Sequence, residues 1–184
     1  VQRIFMRKAQ CHFSWDWAPN FPAMGIWQDV ELNVLDGGEI KSVTVHPYLD
    51  GRASFFVHLS EDFDNEKIGD KSIKIKVFDS DIIVEKTFAV DGYKNACNIK
   101  VENPKLWWPV SMGEPNLYNF EVALIEDGKE TYKKSGRFGF RTVELDQSPI
   151  DDNKFACKVK INGEEIFLKG ANWIPLDIMT GCIT

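Results

Sequence analysis

Cysteine and histidine are scarce in this sequence, with four cysteines and three histidines among 184 residues. The cysteines are widely spaced and form no Cys-x-x-Cys pair, and the histidines lack the spacing of metal ligands. We therefore expect isolated free thiols, no metal site and no cofactor. The residues concerned are Cys11, Cys97, Cys157, Cys182, His12, His46 and His58.

The sequence also lacks long apolar runs and an excess of positive charge. No run approaches the roughly 18 to 20 apolar residues that cross a bilayer, so we expect no membrane partner. The 22 Lys and Arg stand against 28 Asp and Glu, which gives a net charge of -6 and a pI of about 5.1. An acidic surface repels phosphate, so we expect no nucleic-acid partner either.

Short runs of alternating apolar residues dominate the middle of the chain, and an aromatic content of 12% argues against disorder. Ile73, Ile75 and Val77 alternate with lysines, and a period of two puts them on one face of a sheet. Asp-Gly and similar turns recur roughly every ten residues, which predicts an all-β, antiparallel sandwich. We place strands near residues 26–35, 40–49, 52–60, 72–78, 82–90, 96–102, 117–126 and 130–142. No stretch holds a helical period.

The beginning of the chain does not fit a sandwich. Residues 1–24 are rich in aromatic side chains and carry Pro19 and Pro22, which break strand pairing. The first residue is Val1, without an initiator methionine or a signal segment. We interpret the chain as an excerpt of a longer protein.

The end of the chain predicts a hairpin that belongs to another domain. After a polar connector at 149–154, residues 155–161 and 165–169 flank an Asn-Gly turn at 162–163. The continuous apolar run at 166–168 is typical of a strand buried on both faces. Nothing after this strand would cover it, so we expect it to be the first strand of a missing domain.

Three segments in this order resemble glycoside hydrolase family 2, and the first resembles its β-mannosidase branch most. The segments are RKAQCHFSWDWAP (7–19) followed by GIWQDV (25–30), NPKLWWP (103–109) followed by LY (117–118) and RFGFR (137–141), and NGEEIFLKGANWIP (162–175). The resemblance covers nearly the whole chain.

The resemblance implies a three-part architecture: a jelly-roll sugar-binding domain, an immunoglobulin-like antiparallel β-sandwich, and a catalytic (β/α)8 barrel. Residues 1–24 would be the C-terminal tail of the jelly roll, and residues 25–147 the sandwich. Residues 148–184 would be the hairpin and first strand of a truncated barrel.

The resemblance also implies where a sugar binds. A carboxylate accepts hydrogen bonds from two neighbouring hydroxyls, and an indole offers an apolar face to a pyranose ring. Trp15 and Asp16 would contact mannose in this way. Trp173, preceded by Asn172, follows the predicted barrel strand. Because barrel active sites lie at the C-terminal ends of the strands, these two residues would also contact the sugar. We predict that Trp17 is structural, because neighbours in an extended segment point in opposite directions.

Two further motifs have plainer interpretations. The Trp-Trp-Pro segment at 107–109 could be a platform for carbohydrate, but we prefer packing around a bend that Pro109 imposes. We interpret Arg137 and Arg141 as structural, with Arg141 as an interdomain hydrogen-bond donor.

The catalytic groups are predicted to lie outside the chain. A retaining glycosidase needs two carboxyl groups about 5 to 5.5 Å apart, and the resemblance implies that both are glutamates on later barrel strands. Asn65-Glu66 is the only Asn-Glu pair in the sequence. It lies in a polar loop, and we interpret its likeness to a catalytic pair as a coincidence. No catalytic residue is therefore predicted here, and the chain alone is predicted to be inactive.

The resulting hypothesis is a non-catalytic central fragment of a retaining β-mannosidase, with the sandwich as an interdomain spacer. Its partners would be a β-mannoside or oligosaccharide in the full-length enzyme and the other domains of the same chain. The aromatic flanks also predict a weak homodimer of the fragment. The alternatives are another family 2 glycosidase, such as a β-galactosidase or β-glucuronidase, and a free-standing carbohydrate-binding β-sandwich. The length of the natural reading frame separates the enzymes from the free-standing module.

Overall fold

The computed structural model describes residues 2–22, 24–26, 28–32, 38–60, 71–174, 176–177 and 179. The chain divides into two compact units, one formed by Val1–Val34 with Lys169–Thr184 and the other by Leu35–Leu168. The predicted division into residues 1–24, 25–147 and 148–184 stays a prediction.

The described residues of the smaller unit form two short 3₁₀ turns and one short hairpin. The turns are Gln2–Phe5 and Gln10–His12, and the strands are β1 (Phe13–Trp15) and β2 (Ala18–Asn20). The helical turns in the described part of the chain are too short to span a bilayer.

The larger unit is built around an antiparallel sandwich, as the sequence predicts. Its strands are β3 (Ile40–Pro47), β4 (Arg52–Leu59), β5 (Ser72–Phe78), β6 (Ile83–Ala89), β7 (Lys94–Lys100), β8 (Tyr118–Glu126) and β9 (Lys129–Phe138). One sheet has the order β3-β4-β7 and the other the order β6-β5-β8-β9. This three-plus-four arrangement is an immunoglobulin-like β-sandwich.

The core lies between the two sheets and follows the period-two pattern. In β5 the side chains of Ile73, Ile75 and Val77 are fully buried, while the residues between them are half-buried. An aromatic cluster crosses the core: the ring of Phe55 lies 5.6 Å from that of Phe120, centroid to centroid, in an edge-on arrangement. Such pairs add about 0.5–1.5 kcal/mol beyond area burial.

A third small sheet follows the sandwich. Its strands are β10 (Val143–Asp146), β13 (Lys158–Ile161) and β14 (Glu164–Ile166), and β11 (Pro149–Asp151) pairs with β12 (Lys154–Phe155) between them. The hairpin β13–β14 was predicted, and its turn residues Asn162 and Gly163 both have positive φ, 52° and 85°. The pairing of β13 with β10 and the small β11–β12 hairpin were not predicted.

Two strand predictions were wrong in part. Residues 26 and 28–32 form no strand, and the remainder of the predicted strand 26–35 lies outside the described residues. Ile26 and Leu32 are 85% and 91% exposed, so no sheet takes up their apolar side chains. The last strand ends at Ile166, and Phe167 and Leu168 are exposed rather than buried. An apolar run becomes a buried strand only where other elements cover it.

Candidate functional site

The tip of the β1–β2 hairpin carries two of the predicted sugar-binding residues. Trp15 pairs with Ala18, so Asp16 and Trp17 form the connecting turn. The Trp15 side chain is 59% exposed, and Asp16 is exposed as well. Within the described part of the chain, the Asp16 carboxylate has no hydrogen-bond or ionic partner. The indole and the carboxylate are therefore both free to contact a ligand.

Two residues of this segment are buried. Ala18, beside the turn, is 5% exposed, and His12, just before β1, is 7% exposed. The backbone N–H of Phe21 donates to the carbonyl oxygen of His12 at 3.0 Å. This bond extends the antiparallel hydrogen bonding of the hairpin by one residue beyond the ends of β1 and β2. The Nδ1 atom of His12 is buried and has no partner among the described residues.

The backbone of the hairpin departs from the extended segment that the sequence predicts. Trp17 lies in the turn next to Asp16 and is 39% exposed, so the argument from alternating strand directions does not apply to it. Ser14 has a φ of 88°, in the left-handed region that residues other than glycine rarely adopt. Such a residue costs on the order of 1–3 kcal/mol, and strained residues of this kind cluster at ligand sites.

The other two predicted site residues lie on the segment after Leu168. Residues 167–174 form no strand. Trp173 is 83% exposed, and Asn172 is exposed without a side-chain hydrogen bond in the described part of the chain. Both belong to the same compact unit as Trp15 and Asp16. The four predicted residues thus share one unit and are all exposed to solvent.

The Trp-Trp-Pro segment packs inside the larger unit. The backbone N–H of Trp107 donates to the carbonyl oxygen of Phe140 at 2.9 Å. The guanidinium of Arg141 lies over the Trp107 ring, 4.4 Å from its centroid, a cation–π contact. Trp107 and Trp108 are both half-buried. These contacts support the packing interpretation over the carbohydrate platform.

Asn162 has a role that sequence reasoning missed. Its Oδ1 accepts from the backbone N–H of Thr142 at 2.9 Å, and its Nδ2 donates to the carbonyl oxygen of Trp107 at 3.0 Å. Its own N–H donates to the carbonyl oxygen of Thr142 at 3.1 Å. One side chain therefore ties the β13–β14 turn to two segments of the sandwich. The Asn-Gly pair signals the turn but does not reveal these distant partners.

Two charge pairs link neighbouring strands of the described small sheet. Lys158 Nζ donates to Glu165 at 2.9 Å, and this hydrogen bond raises the pKa of Lys158. The pKa of Asp146 is held below its usual range, first by the backbone N–H of Ser148 and also by Lys160. Lys158 and Glu165 are exposed, and Asp146 and Lys160 are half-buried at the surface, so each pair contributes little to stability.

The remaining reactive groups form no evident centre. In the part of the chain that the structure describes, no three His, Cys, Asp or Glu side chains come together as a metal site would require. Cys11, Cys97 and Cys157 are free thiols, and burial raises the pKa of Cys97. Cys182 and the Asn65-Glu66 pair lie outside the described residues.

Comparison with known proteins identifies the family. Residues 38–141, more than half of the chain, match the profile described as Glycosyl hydrolases family 2. The chain belongs to this family. Residues 1–28 of the family 2 chain, which include the β1–β2 hairpin, match a second profile, Glycosyl hydrolase 2 galactose-binding domain-like.

Several similar proteins are β-mannosidases. The β-mannosidase of Bos taurus is 31% identical over 189 residues, which cover 98% of this chain and 22% of the relative. β-Mannosidase B of Emericella nidulans is 30% identical, with 99% and 22% covered. The crystal structure of the β-D-mannosidase from Dictyoglomus thermophilum matches with a TM-score of 0.83 and 28% identity, covering 99% of this chain and 23% of that one. The family 2 chain thus spans about a fifth of the length of these relatives.

Proposed function

We propose that this chain is the central part of a retaining β-mannosidase that removes terminal β-linked mannose. The observation that carries the proposal is the exposed Trp15–Asp16 tip, whose carboxylate has no partner in the described part of the chain. It gains support from the similarity to β-mannosidases over 98% of the chain. Related sugars differ in the orientation of single hydroxyls, and a carboxylate that accepts from two of them discriminates between such sugars.

Four residues of this chain would bind the sugar. Asp16 accepts hydrogen bonds from two neighbouring mannose hydroxyls, and Trp15 packs its ring against the C–H face of the pyranose. Trp173 forms a second apolar wall, and Asn172 offers an amide that both donates and accepts. None of these groups transfers a proton or attacks the sugar. Their task is to hold the ring in place.

The bond-breaking groups would come from outside residues 1–184. In a retaining mechanism, one carboxylic acid protonates the leaving oxygen while a carboxylate attacks the anomeric carbon to form a covalent mannosyl-enzyme. Water, deprotonated by the first group, then releases mannose with its original anomeric configuration. Proton NMR of the first-formed product tests this directly, since β-mannose is expected and α-mannose would refute a retaining mechanism.

The sandwich would serve as a rigid spacer. Its core side chains from both sheets are buried, and Asn162 joins the following hairpin to the sandwich through hydrogen bonds of 2.9 and 3.0 Å. A densely packed core deforms little, and catalysis loses much of its rate when a binding group moves by about 1 Å. A spacer of this kind would fix the distance between sugar-binding segments and catalytic groups.

The sugar-binding role is tested by Asp16→Ala in the full-length enzyme. Each hydrogen bond to a charged group contributes roughly 1.5–3 kcal/mol. The variant should lose on the order of 10² to 10³ in kcat/KM, because about 1.4 kcal/mol corresponds to tenfold. Since contacts that tighten as the ring distorts act in the transition state, kcat should fall too. The melting temperature should not change, because Asp16 is exposed and unpartnered.

The matched control is Asp29→Ala, which removes another exposed carboxylate from the same unit. It should keep wild-type kinetics. Wild-type kcat/KM in Asp16→Ala would remove Asp16 from the site, and a lowered melting temperature with normal kinetics would make it a structural residue.

The location of the catalytic carboxylates is tested with the chain itself. Purified residues 1–184 should release no aryl group from an aryl β-mannoside, whereas the full-length enzyme should. Turnover by the purified chain that disappears when its own acidic residues are replaced would contradict the proposal.

A further inference from the structure

Hydrogen bonds join the two sheets of the sandwich at one end of the side formed by β3 and β9. β3 and β9 are the edge strands of their respective sheets. At one end, Lys134 Nζ donates to the carbonyl oxygen of Lys41 at 2.9 Å and lies 3.4 Å from that of Ile40. These contacts close the gap between the sheets at that end.

At the other end the same two edges leave a groove of about 440 Å³. Val43, Val45 and Pro47 of β3 line one side, and Arg137, Arg141 and Val143 line the other. The walls are therefore apolar except for two guanidinium groups. On their outer sides, both edge strands carry backbone N–H and C=O groups that no strand in the described ranges pairs.

The two arginines have no acidic partner in the described part of the chain. Arg137 is exposed and makes no ion pair or hydrogen bond there. Arg141 contacts the face of the Trp107 ring. The described residues that line the groove include no carboxylate. By contrast, four lysines of the described sandwich strands contact a glutamate, in a chain with a net charge of -6.

The geometry around Arg141 suits a carboxylate as the hydrogen-bond acceptor. The guanidinium lies over the Trp107 ring, and this contact uses its face and leaves its N–H groups for an acceptor. A guanidinium held in this way binds a carboxylate with two parallel hydrogen bonds. An unpaired strand edge adds an extended peptide through main-chain hydrogen bonds, and apolar walls take alternate side chains of that peptide.

We propose that the groove between β3 and β9 binds an extended, acidic polypeptide segment, whose carboxylates pair with Arg137 and Arg141. This inference concerns the larger unit alone and does not depend on the proposed glycosidase activity. The charge complementarity selects the occupant: a neutral segment would leave two cations unpaired, and a basic segment would be repelled.

The probe is an acetylated, amidated heptapeptide, Ser-Glu-Val-Glu-Val-Glu-Ser, titrated into ¹⁵N-labelled chain 1–184 at low salt. We expect saturable shifts of the Gly136 and Gly139 amides, which line the groove. Arg137→Gln should weaken binding roughly five- to tenfold, because one charge-assisted pair is lost. The double variant Arg137→Gln/Arg141→Gln should weaken binding of the peptide further. Adding 0.5 M NaCl should also weaken binding, because salt screens exposed charges.

Two controls separate carboxylate recognition from other effects. Lys129→Gln removes a cation from the same strand but outside the groove, and should leave the affinity unchanged. The peptide with Gln in place of Glu should bind at least about tenfold more weakly. Because Arg141→Gln could disturb the Trp107 packing, Arg137→Gln alone is decisive. Unchanged affinity in this variant, equal binding of both peptides, or no shift at the two glycines would overturn the proposal.

Discussion

Gly51 shows how a single residue closes a loop of the sandwich. It follows β3 and precedes β4, and its φ of 86° lies in the left-handed region. A Cβ atom at this position would stand 2.1 Å from the carbonyl oxygen of Val101, which is backbone and has little room to move. The carbonyl oxygen of Gly51 also accepts from the N–H of Val101 at 2.9 Å. Glycine is needed here both for the dihedral angle and for the close approach.

The comparison of Gly51→Ala with Gly92→Ala separates these two requirements. Gly92 has a φ of 88° with nothing within 4 Å of its Cβ position. Gly92→Ala should lower the free energy of unfolding by about 1 kcal/mol, because only the positive φ is unfavourable for alanine there. Gly51→Ala should cost roughly 3 kcal/mol or more, because the collision adds to the same strain. Urea unfolding of both variants measures the difference, and equal losses would contradict the close contact with Val101.

At the scale of elements, the turn of the β13–β14 hairpin contacts two segments beside the sandwich strands. The turn at Asn162 and Gly163 has the same left-handed backbone as the turn at Asp127 and Gly128, with φ values of 52° and 85° against 50° and 74°. The two turns differ in their side chains. Asn162 reaches Thr142 and the Trp107 carbonyl oxygen, whereas Asp127 has no side-chain partner in the described part of the chain.

Asn162→Gly tests this attachment without adding backbone strain, since glycine accepts the left-handed conformation. We expect a loss of roughly 1–3 kcal/mol, because the N–H of Thr142 and the carbonyl oxygen of Trp107 lose partners in a half-buried position. Amide exchange should quicken in β13 and β14 and stay slow in β5 and β8.

Asp127→Gly is the matched control, with the same turn geometry and no hydrogen bonds to lose. It should change stability by less than about 0.5 kcal/mol. If both variants behaved alike, the side-chain contacts of Asn162 would not be what holds the hairpin.

At the scale of the whole molecule, exposed apolar side chains favour self-association. Phe5, Ile26, Phe167 and Trp173 are each more than 80% exposed. Grouped apolar surface on a soluble protein marks an interaction site. We therefore expect the isolated chain to form weak homodimers.

Sedimentation equilibrium over a concentration series tests this association. Phe167→Ser and Trp173→Ser should each weaken the dimer roughly 10- to 100-fold, because burying one large apolar side chain contributes about 1.5–3 kcal/mol. Val110→Ser, at a residue 90% exposed on a turn of the larger unit, should have no effect. A strictly monomeric chain at high concentration would refute the expectation.

The sequence alone determined the alternating faces of the sandwich strands and most of their turns. Ile73, Ile75 and Val77 are buried as their spacing predicts, and the Asn-Gly pair at 162–163 forms the expected tight turn. These features follow from local physics: the side-chain period of a strand is two, and left-handed backbone favours glycine and asparagine. The sugar-binding roles of Trp15 and Asp16 came from family resemblance and await the Asp16 experiment.

The tertiary structure decided which apolar runs become strands and which distant groups meet. Residues 28–32 and Phe167 have strand-like sequences but pair with no strand among the described residues. Arg141 stacks on Trp107, 34 positions earlier in the chain, and Asn162 binds the same segment. Strand formation requires hydrogen bonds from a neighbouring strand, and such pairings depend on how remote segments are brought together. No local pattern in the chain specifies that arrangement.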